Sequence, residues 1–130
     1  MQNKNKIMIQ KTTKIIKWII TYSLTALFIM SAIMKIIKNE GAVQQATSIG
    51  INASTNQILG VIELISAILF VIPRTGVLGS LLLISYMGGA IATHLEHGQS
   101  VVMVIVIQTL IWVSAGIRFN ELSNRLFSKN

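Results

Sequence analysis

The chain has 130 residues, 52% of them hydrophobic and only 12% charged, with a mean hydropathy of +0.67. One domain is expected at this length, and a soluble domain carries about a quarter charged residues, so the composition points to an integral membrane protein, and the long apolar runs taken in order below make it all-α. Cysteine is absent, which excludes disulfides, thiolate metal sites and any dithiol relay within the polypeptide.

Eleven Lys and Arg against four acidic residues give a net charge of +7. The basic groups sit at the ends of apolar runs, not along one face or among stacking aromatics. Nucleic acid is therefore rejected as a partner, and anionic membrane lipid is expected instead.

Residues 1–14 form a basic, Asn-rich segment, expected to be disordered at its start. Lys11, Lys14 and Lys17 are placed to begin a helix near lipid headgroups. The first span is expected over about 15–37 and is read as a retained span, not a removed leader, because its apolar run is long and lacks a small-residue exit. Trp18 and Tyr22 lie near its start, as interfacial rings do. Lys35 and Lys38 close it, with stems long enough to snorkel.

Residues 39–56 are a polar outer linker, in which Ala42–Thr47 is a candidate short helix. The second span, about 57–72, contains Glu63, the only acid inside a long apolar run. Pro73, the only proline, stops that run. Pro73-Arg74-Thr75-Gly76 is then a tight turn, with Arg74 available to the carbonyls that the helix end leaves free. The third span, about 77–95, carries Gly79, Gly88 and Gly89. With Gly60 of the second span, these are expected helix-packing positions, since small residues let membrane helices approach closely. The fourth span is expected over 101–117, so the transmembrane domain covers 15–119. A tail of 120–130 follows, with a short helix around Leu122–Phe127.

Four spans place nine basic residues on one side: Lys4, Lys6, Lys11, Lys14, Lys17, Arg74, Arg118, Arg125 and Lys129. Only Lys35 and Lys38 lie on the other. The positive-inside rule then puts both termini in the cytoplasm, and Arg74 and Arg118 act with Pro73 as turn and topology anchors.

Five polar side chains fall between the outer rim and the middle of the bundle: Lys35, Glu63, Tyr86, His94 and Gln108. Helical phase places Gly60, Glu63, Ala67 and Phe70 on one face. Tyr86 and Ala90 share a face in the third span, with His94 at its edge, and Gln108, Trp112 and Ala115 share one in the fourth. Glu63 is not expected to face lipid, where an ionised carboxylate is costly. Two readings stand side by side. Glu63 anchors an outward-opening polar pocket, or it forms a structural pair, such as with Lys35, that locks helix order. His94 and His97 share a helix face without a clear third ligand, so no metal site is expected.

The chain resembles the DoxX-like family of small four-span membrane proteins. The likeness runs through SAIMK at 31–35, LGVIELISAILFVIPRTGVLG at 59–79 and YMGGAIATHL at 86–95, and covers about 15–120. It implies a four-helix bundle in the bacterial cytoplasmic (inner) membrane, with recurring polar positions at Lys35, Glu63, Arg74 and His94. Some members of the family are described as membrane subunits of thiosulfate:quinone oxidoreduction, and others as partners in redox complexes. The leading functional expectation is an accessory or partner subunit of a membrane complex, with a redox partner or a homo-oligomer as the association. A quinone-linked oxidoreductase subunit is the first alternative, with quinone the one cofactor it would engage. A small-solute transporter, working as an oligomer, is the second. The catalytic residues, if any, are not indicated.

Overall fold

The computed structural model describes residues 1–128. Lys129, counted among the basic groups above, and Asn130 lie outside the described residues. The fold is all-helical among those residues, in the order α1 (Gln2–Ile36), α2 (Glu40–Ser48), α3 (Ala53–Val71), α4 (Gly76–Glu96), α5 (Val102–Arg118) and α6 (Asn120–Leu126).

α1 differs most from expectation. The basic segment expected to start disordered is helical from Gln2, as the first turns of a 35-residue helix. The physical reason is local. No glycine or proline interrupts residues 2–36, and Lys, Gln and Met, frequent in its first half, are good helix formers. At ~1.5 Å per residue α1 is about 50 Å long, well beyond a ~30 Å hydrocarbon layer.

Each boundary has a residue that explains it. α1 is closed off two residues past Ile36 by Lys38, which takes a left-handed φ of 55° so that Asn39 N–H reaches the carbonyl of Met34 at 3.0 Å. Asn39 then caps α2 by accepting from the Gly41 amide at 3.0 Å. Asn52 caps α3 in the same way through the Thr55 amide at 2.9 Å, and so starts that helix four residues before the expected Gln57. Proline stops α3, and Thr75 Oγ1 donates to the freed Leu69 carbonyl at 2.9 Å. Arg118 Nη2 reaches the Val71 carbonyl at 3.5 Å. Arg74, placed by the sequence to serve these carbonyls, is instead exposed. The hydroxyl of Thr75, its neighbour, takes the bond. Past the end of α4, Gly98 turns the chain with a φ of 67°.

The long helices pack in the cyclic order α1, α3, α4, α5, with α5 returning to α1. α2 lies against α3 and α1, and α6 against α5. The bundle has a linker end, carrying α2 and the 97–101 connection, and a turn end, carrying 72–75 and the α5–α6 junction. Leu24, Phe28, Ala67, Phe70, Leu83, Met87, Val104 and Ile111 form the core. Thr21 and Ser114 join α1 to α5 through a fully buried hydroxyl pair at 2.8 Å. Other hydroxyls bond back along their own helices, among them Thr25 to Thr21 O and Ser80 to Gly76 O, so their burial is cheap.

The outward surface is apolar. Met30, Ile58 and Met103 are 68%, 62% and 68% exposed, and each stands among further exposed aliphatics. Such a belt is far larger than a monomeric protein leaves in water; it suits hydrocarbon. α1, α3 and α4 are long and apolar enough to cross a membrane, and α5 with α6 counts as a fourth span if that pair, bent by 109°, is taken together. α5 alone has 17 residues, the lower edge of what crosses.

Small phase errors accompany these agreements. Trp112, grouped with Gln108 and Ala115 on an inward face, is 38% exposed, while Ile111 beside it is fully buried. In α4 the buried face carries Ser80, Leu83 and Met87, and Tyr86 beside it is half-buried.

Candidate functional site

Three of the expected polar residues meet. Lys35 Nζ lies 2.6 Å from Glu63 Oε2 and 2.6 Å from the Tyr86 hydroxyl. Tyr86 in turn donates to Glu63 Oε2 at 3.2 Å. The ammonium donates twice, the phenol accepts once and donates once, and one carboxylate oxygen accepts twice. This closed triangle ties α1, α3 and α4 together.

Glu63 sits near the middle of α3 and is 1% exposed. Two features of the sequence bring Lys35 to it. Lys35 stands in the last turn of α1, so its stem can reach inward while its head stays near the rim. Gly60 lets α3 approach that stem: a Cβ there would meet Lys35 Cβ at 2.8 Å and the Ala32 carbonyl at 3.0 Å. Gln57, one turn before Gly60, donates its side-chain amide to the Ile36 carbonyl at 2.8 Å and holds the end of α1 against α3. The sequence treated Gln57 only as the start of a span. Its signal was the spacing 57, 60, 63, which puts it on the same helix face as Gly60 and Glu63.

Electrostatics explains the arrangement. Burying a lone carboxylate costs several kcal/mol, and a well-placed cation with added hydrogen bonds offsets it. The side chain of Lys35 keeps 20% of its surface exposed, against 2% for Glu63. An ammonium has three N–H donors, and two are engaged here, so the third is free to meet an acceptor at the linker end.

His94 and Gln108 stand apart from the triangle. His94 Nδ1 pairs with the Ala90 carbonyl of its own helix at 2.7 Å, and the ring is half-buried. Gln108 Nε2 donates to the Ile84 carbonyl at 3.3 Å, joining α5 to α4. His97 Nδ1 pairs with Thr93 O at 2.9 Å, and its ring lies over Gly50 of the α2–α3 connection. Among the described residues no three His, Cys, Asp or Glu side chains are grouped as metal ligands.

The four packing glycines divide. Gly79 presses on the backbone of α3 at Phe70, leaving no room for a Cβ. Gly60 makes the close approach described above. Gly88 and Gly89 face open space, where a Cβ would meet nothing within 4 Å. They are expected as packing positions but touch no other helix among the described residues, because their phase on α4 points away from both α3 and α5.

A second polar feature lies at the turn end. The Arg118 guanidinium stands over three rings, 4.7 Å from the centroid of Phe119, 4.9 Å from Phe70 and 5.7 Å from Trp18. Its Nη1 is buried without a hydrogen-bond partner. Gly76 makes room for this cluster, since a Cβ would meet the Phe119 ring and, at 3.1 Å, Arg118 Nη2. Arg118 was expected as a topology anchor only; its aromatic seat was not foreseen. The available signal was that Trp18, Phe70 and Phe119 all fall at the same margin of the expected spans, the one shared with the 73–76 turn.

Helices of this length and polarity, closed around a buried ion pair and belted by exposed aliphatics, define a multi-pass membrane protein. Residues 19–116 match the family model of the DoxX-like family, and the chain belongs to that family. The matched stretch includes Lys35, Glu63, Tyr86, His94 and Gln108 and stops short of Arg118. No curated protein and no solved structure matches the chain.

Proposed function

We propose that this DoxX-like protein is an accessory or partner subunit of a complex in the bacterial cytoplasmic membrane, with both termini in the cytoplasm. One observation carries the partner reading. The Glu63 carboxylate and two of the three Lys35 N–H groups are engaged in the triangle that braces the bundle, while the α4 face at Gly88 and Gly89 is left uncovered by the described helices. Close backbone approach is how membrane helices associate, and that face offers it to a helix from another chain. The orientation follows from the basic residues, which gather at the turn end and along the start of α1.

The test is photocrosslinking from position 92, on the same face, in native membranes. A discrete adduct that disappears in the Gly88→Leu/Gly89→Leu double variant supports the reading. Lipid adducts alone, unchanged in the double variant, contradict it.

A second reading is favoured by the third N–H of Lys35. A quinone-linked oxidoreductase subunit would use that donor, at a rim position next to the Tyr86 ring, to hold a quinone carbonyl. The residues fit a hydrogen-bonded ring carbonyl: one free cationic donor, a partly exposed stem and an adjacent aromatic. Quinone retained after gentle extraction, and lost in Lys35→Met, supports this reading. Equal quinone content in both proteins removes it.

A further inference from the structure

We infer that residues 2–16 of α1 are a docking helix for an anionic lipid surface. These residues are exposed throughout. They belong to a helix about 50 Å long, of which only ~30 Å is needed to cross hydrocarbon. Roughly the first four turns therefore stand free of the bundle at its turn end.

The free turns have two sides. At 3.6 residues per turn, Lys4, Lys6, Lys11, Lys14 and Lys17 fall within an arc of about 160°. Met8, Ile9, Ile15 and Ile16 fall within an opposing arc of about 120°, with Asn5 and Thr12 as its uncharged polar members. Ile7 alone lies among the lysines. The four apolar side chains are 60%, 67%, 59% and 44% exposed. No acid occurs before Glu40, so the segment is cationic without internal compensation. A basic amphipathic helix of this kind lies in a headgroup layer, held by its apolar face and by attraction to anionic lipid.

The phase of the apolar side points to a lipid surface in particular. The bundle-facing side of α1 is marked by the buried Thr21, Leu24, Phe28 and Ala32. The opposite side carries Ile19, Leu27, Met30 and Ile33, all exposed. On a continuous helix, Met8, Ile9, Ile15 and Ile16 lie in line with this second set, and the lysines with the first. A helix that leans away from the bundle turns its outer side down. It thus lays the apolar residues on the membrane without any rotation about its axis, and lifts the lysines to phosphate level and above. Thr12 and Thr13, followed by Ile15 and Ile16, are β-branched residues of lower helix propensity, and they place the lean where the helix leaves the bundle.

The chain lacks cysteine, so single labels are direct. Met8→Cys and Lys6→Cys, each carrying a nitroxide, are reconstituted as full-length protein in vesicles of phosphatidylcholine, with and without phosphatidylglycerol. Neither position touches the bundle, so the fold is not at stake. The expected result is that adding phosphatidylglycerol makes the label at 8 several-fold more accessible to oxygen than to a water-soluble nickel complex, while the label at 6 stays open to nickel. Replacing Lys4 and Lys11 by Gln in the Met8→Cys protein reverses the shift, by roughly five-fold per lysine. Equal nickel access at 6 and 8 in both vesicles overturns the inference. So does protection at 8 that follows protein-to-lipid ratio and ignores phosphatidylglycerol, which would mark a second copy of the chain as the occupant.

Discussion

Replacing Lys35 by Met leaves the Glu63 carboxylate, 1% exposed, with only the Tyr86 hydroxyl as a donor. Removing one partner of a buried pair costs about 3–5 kcal/mol. Two features reduce that here. Tyr86 still donates to the carboxylate, and a hydrogen bond to a charged group is worth about 1.5–3 kcal/mol. The Lys35 side chain is also 20% exposed, so part of its attraction is already screened. A loss of about 2–3 kcal/mol remains, or on the order of 10 °C in Tm for a chain of this size. The converse change, Glu63→Gln, costs less, about 1 kcal/mol, because the orphaned ammonium can swing to the rim while the amide oxygen still accepts. The double variant Lys35→Met/Glu63→Leu removes both charges and recovers most of the loss, since apolar replacement of a whole pair is often neutral. Thermal unfolding of the purified protein in one detergent, followed by tryptophan fluorescence, measures all three against the exposed control Met30→Leu. If Lys35→Met falls within about 0.5 kcal/mol of that control, or the double variant is no more stable than Lys35→Met, the ion pair does not brace the helices.

Other expectations are separable from that one. Gly79→Ala drives a methyl into the α3 backbone at Phe70 and prevents native packing, whereas Gly88→Ala, in open space, is neutral or stabilises by up to about 1 kcal/mol; yields of monodisperse protein and Tm distinguish the two. Lys38→Gly relieves a left-handed residue at the end of α1 and raises stability by about 1 kcal/mol in the same assay. Thr21→Val strands the buried Ser114 hydroxyl and costs about 1–2 kcal/mol, while Thr21→Val/Ser114→Ala costs less than the single change, because no polar group is left unpaired.

The parts of the fold that read clearly from the chain were those with one strong local cause. Pro73 ends a helix wherever it occurs, and α3 does stop two residues before it. Glu63 had to find a donor inside the bundle, because hydrocarbon supplies none. Lys35, the one cation with a stem at that level and an inward phase, was among its named candidates. Helical phase also carried Gly60, Glu63, Ala67 and Phe70 to one buried face. What phase does not carry is the choice of partner. His94 and Gln108 were expected to converge with Glu63, yet their side chains pair with backbone carbonyls, at Ala90 and Ile84. Gly88 and Gly89 show the same limit: a glycine permits close approach without saying to what. The N-terminal turns were misjudged because asparagine and lysine content was weighed above the absence of any helix breaker.

The pair at Lys35 and Glu63 is best measured where it has to exist, in a bilayer. Magic-angle-spinning NMR of the protein in lipid, with lysine Nζ labelled with nitrogen-15 and glutamate Cδ with carbon-13, reads the distance between them directly. A 2.6 Å Nζ–Oε2 contact predicts strong dipolar dephasing of one lysine signal, and its loss in Glu63→Gln. Dephasing that is absent, or that survives Glu63→Gln, contradicts a lipid-embedded bundle braced by this triangle.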